Sequence, residues 1–77
     1  MPYIRVKSYP KDRAVKEAVA EKINEVFLEL WGCPPGAITI SFEEIDPAEW
    51  QDKVVKTEIE PNKENMMILS GEKRYKP

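Results

Sequence analysis

Histidine is absent from this chain, and cysteine occurs once, as Cys33. Without an imidazole there is no Ser-His or Cys-His nucleophile pair, and the commonest metal ligand is gone. A lone thiol closes no internal disulfide, and beside prolines at a helix end Cys33 reads as inert. Positive charge is never concentrated: the longest basic block is Lys73-Arg74, and 12 Lys+Arg stand against 14 Asp+Glu for a net charge of −2. That balance argues against a phosphate-tracking surface, so no nucleic-acid partner is expected. No apolar run approaches bilayer length, and the start of the chain lacks the apolar stretch of a secretory leader. The expectation is a cytoplasmic protein in a reducing compartment, with no membrane partner, no metal and no cofactor.

What is present must therefore fold by packing alone. A chain of 77 residues makes one small domain, and a core that small usually needs a staple. With disulfide and metal excluded, association with a second copy is what remains.

Residues 2–9 alternate, with Ile4 and Val6 on one side and Tyr3, Arg5, Lys7 and Tyr9 on the other; this is a half-buried strand. Pro10-Lys11-Asp12 ends it, and Asp12 suits an N-cap. From 13 to 31 the apolar residues Val15, Val19, Ile23, Val26, Phe27, Leu30 and Trp31 recur every three or four positions, and Gly32 with Pro34-Pro35 stops the helix. Residues 37–45 alternate again through Ile38, Ile40 and Phe42. Strand, long helix, strand predicts a βαβ unit of the α/β (α+β) class, its two strands parallel. Two strands leave two open edges, so pairing with a second copy into a four-stranded sheet, both helices on one face, is the simplest remedy. Asp46-Pro47 opens a short helix expected over 47–58. Pro61 interrupts it, 62–70 fits either a helix or a strand, and the charged end of the 61–77 segment reads as a loose tail.

The start of the chain carries the chemistry. Methionine ahead of a small residue is normally removed, which leaves Pro2 as a secondary amine. An ordinary α-amine titrates at about 7.7–8.0, close to what a general base needs, and a desolvating pocket lowers it further. Pro2 shares the parity of Ile4 and Val6, so its ring lies on the core-facing side.

Pro2-Tyr3-Ile4-Arg5-Val6, the turn with Arg13, and the strand Ala37-Ile38-Thr39-Ile40-Ser41-Phe42-Glu43-Glu44 together resemble the 4-oxalocrotonate tautomerase family. The stretch from Ile45 through Trp50-Gln51 onward is similar to that family's longer, dimeric branch. The resemblance implies a cofactor-independent isomerase with the amino-terminal proline as base, interconverting enol and keto forms of a small 2-oxo acid of phenylpyruvate type. It implies that Pro2 is catalytic, that Arg13 or Lys11 binds the substrate carboxylate, and that Trp50 closes the apolar side of the pocket. A second arginine used by hexameric members falls at Thr39, which points away from dicarboxylates. Two alternatives stand beside this reading. One is a non-catalytic βαβ dimer that binds a small acid or a protein partner. The other is a hydratase- or dehalogenase-like relative in which protonated Pro2 acts as an acid.

The structural alternatives for individual residues are core packing for Trp50 and solvated helix surface for Arg13. Lys11, Asp12, Lys16 and Glu17 are likewise expected on solvated surface. Glu43 and Glu44, adjacent on a strand, point to opposite faces and so form no acid–base dyad.

Overall fold

A computed structural model describes residues 1–75. The chain divides into two compact units, Met1–Ile45 and the part from Asp46 onward.

The first unit is the βαβ element. Strand β1 (Tyr3–Ser8) and strand β2 (Thr39–Glu44) pair in parallel, with Ile4 opposite Ile40 and Val6 opposite Phe42. These even-numbered side chains are half-buried while Tyr3, Arg5, Thr39 and Ser41 between them are exposed, as a period of two requires. Two further backbone bonds lengthen the ladder. Thr39 N–H donates to Pro2 O (3.1 Å) at one end, and Ile45 N–H donates to Ser8 O (2.8 Å) at the other. Ile45, 6% exposed, is the buried apolar residue of this unit.

Helix α1 (Arg13–Val26) begins at Asp12, whose side chain makes no capping bond. It continues through wider, π-type turns over Phe27–Trp31, where Phe27 and Trp31 stack at a tilt with ring centroids 5.4 Å apart. Gly32 ends it with φ 74°, a left-handed conformation that favours glycine. Its N–H reaches back five residues to Phe27 O at 3.1 Å. The expected 13–31 helix is thus present, its last turn loosened.

In the second unit Asp46 caps a single 3₁₀ turn, Pro47–Glu49, its carboxylate accepting Ala48 N–H at 2.9 Å. A wide-turned helix, Gln51–Ile59, follows and buries Val54. The wide helix ends at Ile59, two residues before Pro61. A tighter 3₁₀ stretch, Glu60–Asn65, carries it on, with a kink at Asn62. Proline is tolerated there because the first turn of a helical segment leaves its N–H unpaired anyway.

The expected loose tail is corrected within the described residues. Strands β3 (Ile68–Leu69) and β4 (Glu72–Lys73) form an antiparallel hairpin. Ser70 (φ 48°) and Gly71 (φ 83°) both adopt positive φ at its two-residue turn, the geometry that matches the twist of paired strands. The last two residues of the expected tail lie outside the described region.

Candidate active site

Pro2 enters the ladder directly. Its carbonyl accepts the Thr39 N–H, the residue is half-buried, and Met1 ahead of it is 87% exposed. In the full sequence the prolyl nitrogen is an amide. Removal of Met1 turns it into a secondary amine whose residue still enters the ladder through its carbonyl.

The candidate cations gather elsewhere, where β1 turns into α1. Arg13 is an exposed first-turn residue whose Nε donates to Glu17 Oε2 at 2.9 Å. Lys11 precedes it, and its backbone N–H donates to Glu44 Oε2 at 3.0 Å. The same oxygen accepts Lys16 Nζ at 2.8 Å. Arg13, Lys16, Glu17, Ala20 and Phe42 line a cleft of about 250 Å³.

Lys16 is therefore not the free surface charge its place in the sequence indicates. Its side chain is 26% exposed and tied across to β2. The two glutamates do diverge: Glu43 turns to Arg5 (3.7 Å) and Lys7 (3.9 Å), whereas Glu44 faces Lys11 and Lys16. The Lys16 ammonium, then the Lys11 amide, hold the Glu44 carboxyl below its usual range, against a smaller opposing effect of desolvation.

Pro2 and the cations do not meet within one chain. Pro2 precedes β1 and Lys11 follows it, and a six-residue strand at about 3.3 Å per residue separates them by about 20 Å. Trp50 belongs to the second unit, half-buried where the turn Pro47–Glu49 passes into the wide helix. Along α1, a groove of about 640 Å³ is lined by Ala14, Val15, Ala18, Val19, Val26 and Phe27 among others. Among the described residues no cluster of three or more His, Cys, Asp or Glu could hold a metal ion. Nor is any helix among them long and apolar enough to cross a membrane.

Comparison with known proteins gives the chain its relatives. The Tautomerase PptA proteins of Escherichia coli O127:H6 and Pectobacterium atrosepticum are 32% and 31% identical to it over 73 residues, spanning 92% of this chain and 96% of theirs. The chain belongs to the tautomerase superfamily. Tautomerase PptA of Cronobacter sakazakii is 28% identical over the same extent. No family model matches the chain. The parallel βαβ unit is the tautomerase-like fold, and the similarity runs well past it into the second unit.

Two residues gain weight that sequence reasoning did not give them. Lys16 lines the cleft beside Arg13, and Glu44 ties the segment carrying both cations to β2. Their contact joins positions 28 residues apart, so no local spacing announces it.

Proposed function

We propose that this chain is a cytoplasmic, cofactor-independent tautomerase that ketonises the enol of a monocarboxylic 2-oxo acid of phenylpyruvate type, with Pro2 as general base. The observation that carries this is Pro2 itself: half-buried, its carbonyl bonded into the start of the β1–β2 ladder, in a chain of the tautomerase superfamily. Its nitrogen accepts the enol hydroxyl proton as the O–H pair becomes the carbonyl π bond. The C=C pair then takes that proton from the prolyl ammonium at C3, and the amine is regenerated. One group near neutral pKa serves both transfers. A cation holds the carboxylate and steadies the enolate. Thr39 in place of a second arginine leaves one cationic anchor, which suits a single carboxylate.

The separation of Pro2 from Lys11 and Arg13 supports a homodimer in which each site is shared. A two-fold pairing of β1 edges runs antiparallel, so the start of one β1 lies beside the end of the other. Pro2 of one subunit then faces Lys11 and Arg13 of the partner subunit; pairing through β2 would leave the two β1 strands, and so Pro2 and those cations, further apart. The resulting four-stranded sheet sets the two α1 helices two strand spacings apart. That is about 9.6 Å, within the 8–10 Å of packed helices. Their open valine stripes would then close against each other.

Pro2→Ala tests the catalytic claim. Ketonisation of phenylenolpyruvate by the Met1-free protein should fall by about a hundredfold or more, the usual worth of a positioned base. Equal rates for wild type and variant, both near background, would favour the non-catalytic binding dimer.

A further inference from the structure

We infer that Glu44 is a positioning residue for substrate binding: it clamps the β1–α1 turn so that Lys11 and Arg13 are held where a substrate carboxylate must dock. The inference rests on the tautomerase reading of the site. Its geometric basis is that one carboxylate oxygen receives two donors from either side of Arg13. The Lys11 amide lies ahead of it at 3.0 Å and the Lys16 ammonium behind it at 2.8 Å. Lys16 N–H also donates to Asp12 O at 3.1 Å, which closes the first helical turn over the same segment.

The start of α1 carries no side-chain cap of its own at Asp12, and residues 9–15 are all exposed. Among the described residues Arg13 is paired within its own helix, to Glu17. Glu44 instead ties the residue ahead of the N-cap to β2, and it does so from the strand whose other end holds Pro2 through Thr39. A carboxylate with two charge-assisted bonds also restrains lysine and arginine backbones that would otherwise sample many states before binding. The loss of that restraint appears in substrate affinity and leaves proton transfer at Pro2 alone.

The groups facing Glu44 are the Lys16 ammonium on α1 and the Lys11 amide in the turn. Its neighbour Glu43 faces Arg5 and Lys7 on β1. The clamp therefore persists while Glu44 is ionised. Its carboxyl titrates below the ordinary value of 4.5, so the clamp is complete above that pH and is lost as the pH falls through the lowered value.

The test measures kcat and KM for phenylenolpyruvate ketonisation from acid to neutral pH. The proteins are wild type, Glu44→Gln, Lys16→Met and, as control, Glu43→Gln. Exposed charged pairs are worth a modest factor, so Glu44→Gln should raise KM about twofold to fivefold. Its kcat should change less than that, and its KM should lose the acid-side rise that wild type shows. Lys16→Met should move KM in the same direction, while Glu43→Gln leaves it unchanged. Adding Arg13→Ala to Glu44→Gln should raise KM by less than Arg13→Ala does alone. The inference is overturned if active Glu44→Gln keeps the wild-type KM, or if KM stays put while kcat falls. Glu43→Gln matching Glu44→Gln would also overturn it, by reducing the effect to net charge. An inactive wild type instead overturns the tautomerase reading, and this inference with it.

Discussion

Val15, Val19 and Val26 keep 40%, 41% and 49% of their surface exposed along α1, and Val19 near the middle of this stripe is the position to perturb. Full burial of a valine is worth about 1.5–3 kcal/mol, so covering the remaining two-fifths yields about 0.6–1.2 kcal/mol each. Three valines on each of two helices contribute about 4–7 kcal/mol, a large share of the roughly 8 kcal/mol that defines micromolar association. Val19→Asp removes one such contribution per helix and forces a carboxylate into the seam, at a further cost of about 1–3 kcal/mol per copy. The expected result is a dimer weakened at least about a hundredfold, or 2.7 kcal/mol. Sedimentation velocity across micromolar concentrations measures it, with far-ultraviolet circular dichroism to confirm that α1 persists. On the proposed reading, in which each site takes its cation from the partner subunit, specific activity should fall in parallel with dissociation. Val19→Asp that sediments like wild type, with the same activity on dilution, would refute the helix-seam dimer.

The remaining predictions concern stability and titration. Ile45→Ala empties the buried position of the first unit and should cost about 2–4 kcal/mol by urea denaturation. Gly71→Val places a β-branched side chain at φ 83° and should destabilise the hairpin by about 1 kcal/mol or more; an unchanged midpoint would mean the turn adopts another form. The Glu44 carboxyl carbon, followed by NMR, should titrate below 4.5 in wild type. In Lys16→Met its midpoint should move up toward that value, since the ammonium is the larger cause of the shift.

The βαβ unit was legible because both of its periods are strong. Ile4, Val6, Ile40 and Phe42 alternate cleanly and pair in register, and the residues of α1 recur at helical spacing up to a glycine stop. The hairpin at Ser70-Gly71 was not legible: its strands are two residues each, too short for alternation to show. Pro61 stands where the wide helix gives way to the 3₁₀ stretch, beside the non-helical Asn62, as a proline that opens a new helical segment does.

At the site, parity predicts Pro2 on the side of Ile4 and Val6, and the residue is half-buried. Parity says nothing of which end of a strand a residue occupies. Pro2 and Arg13 could be grouped from sequence as base and cation, yet a strand of β1's length stands between them, and only its direction reveals that. The Glu44 clamp was hidden for a different reason. It links a strand end to a turn more than 25 residues away through one oxygen, and neither residue type is unusual where it stands.

The central claim is that an amine at Pro2 does the proton transfer, and a comparison of the same protein with and without Met1 tests it most directly. Intact mass identifies each form, and ketonisation of phenylenolpyruvate measures each rate. The Met1-free protein should turn over the enol well above the buffer-catalysed rate, while the form that keeps Met1, its prolyl nitrogen locked in an amide, should not exceed background. Equal catalysis by both forms would contradict the account.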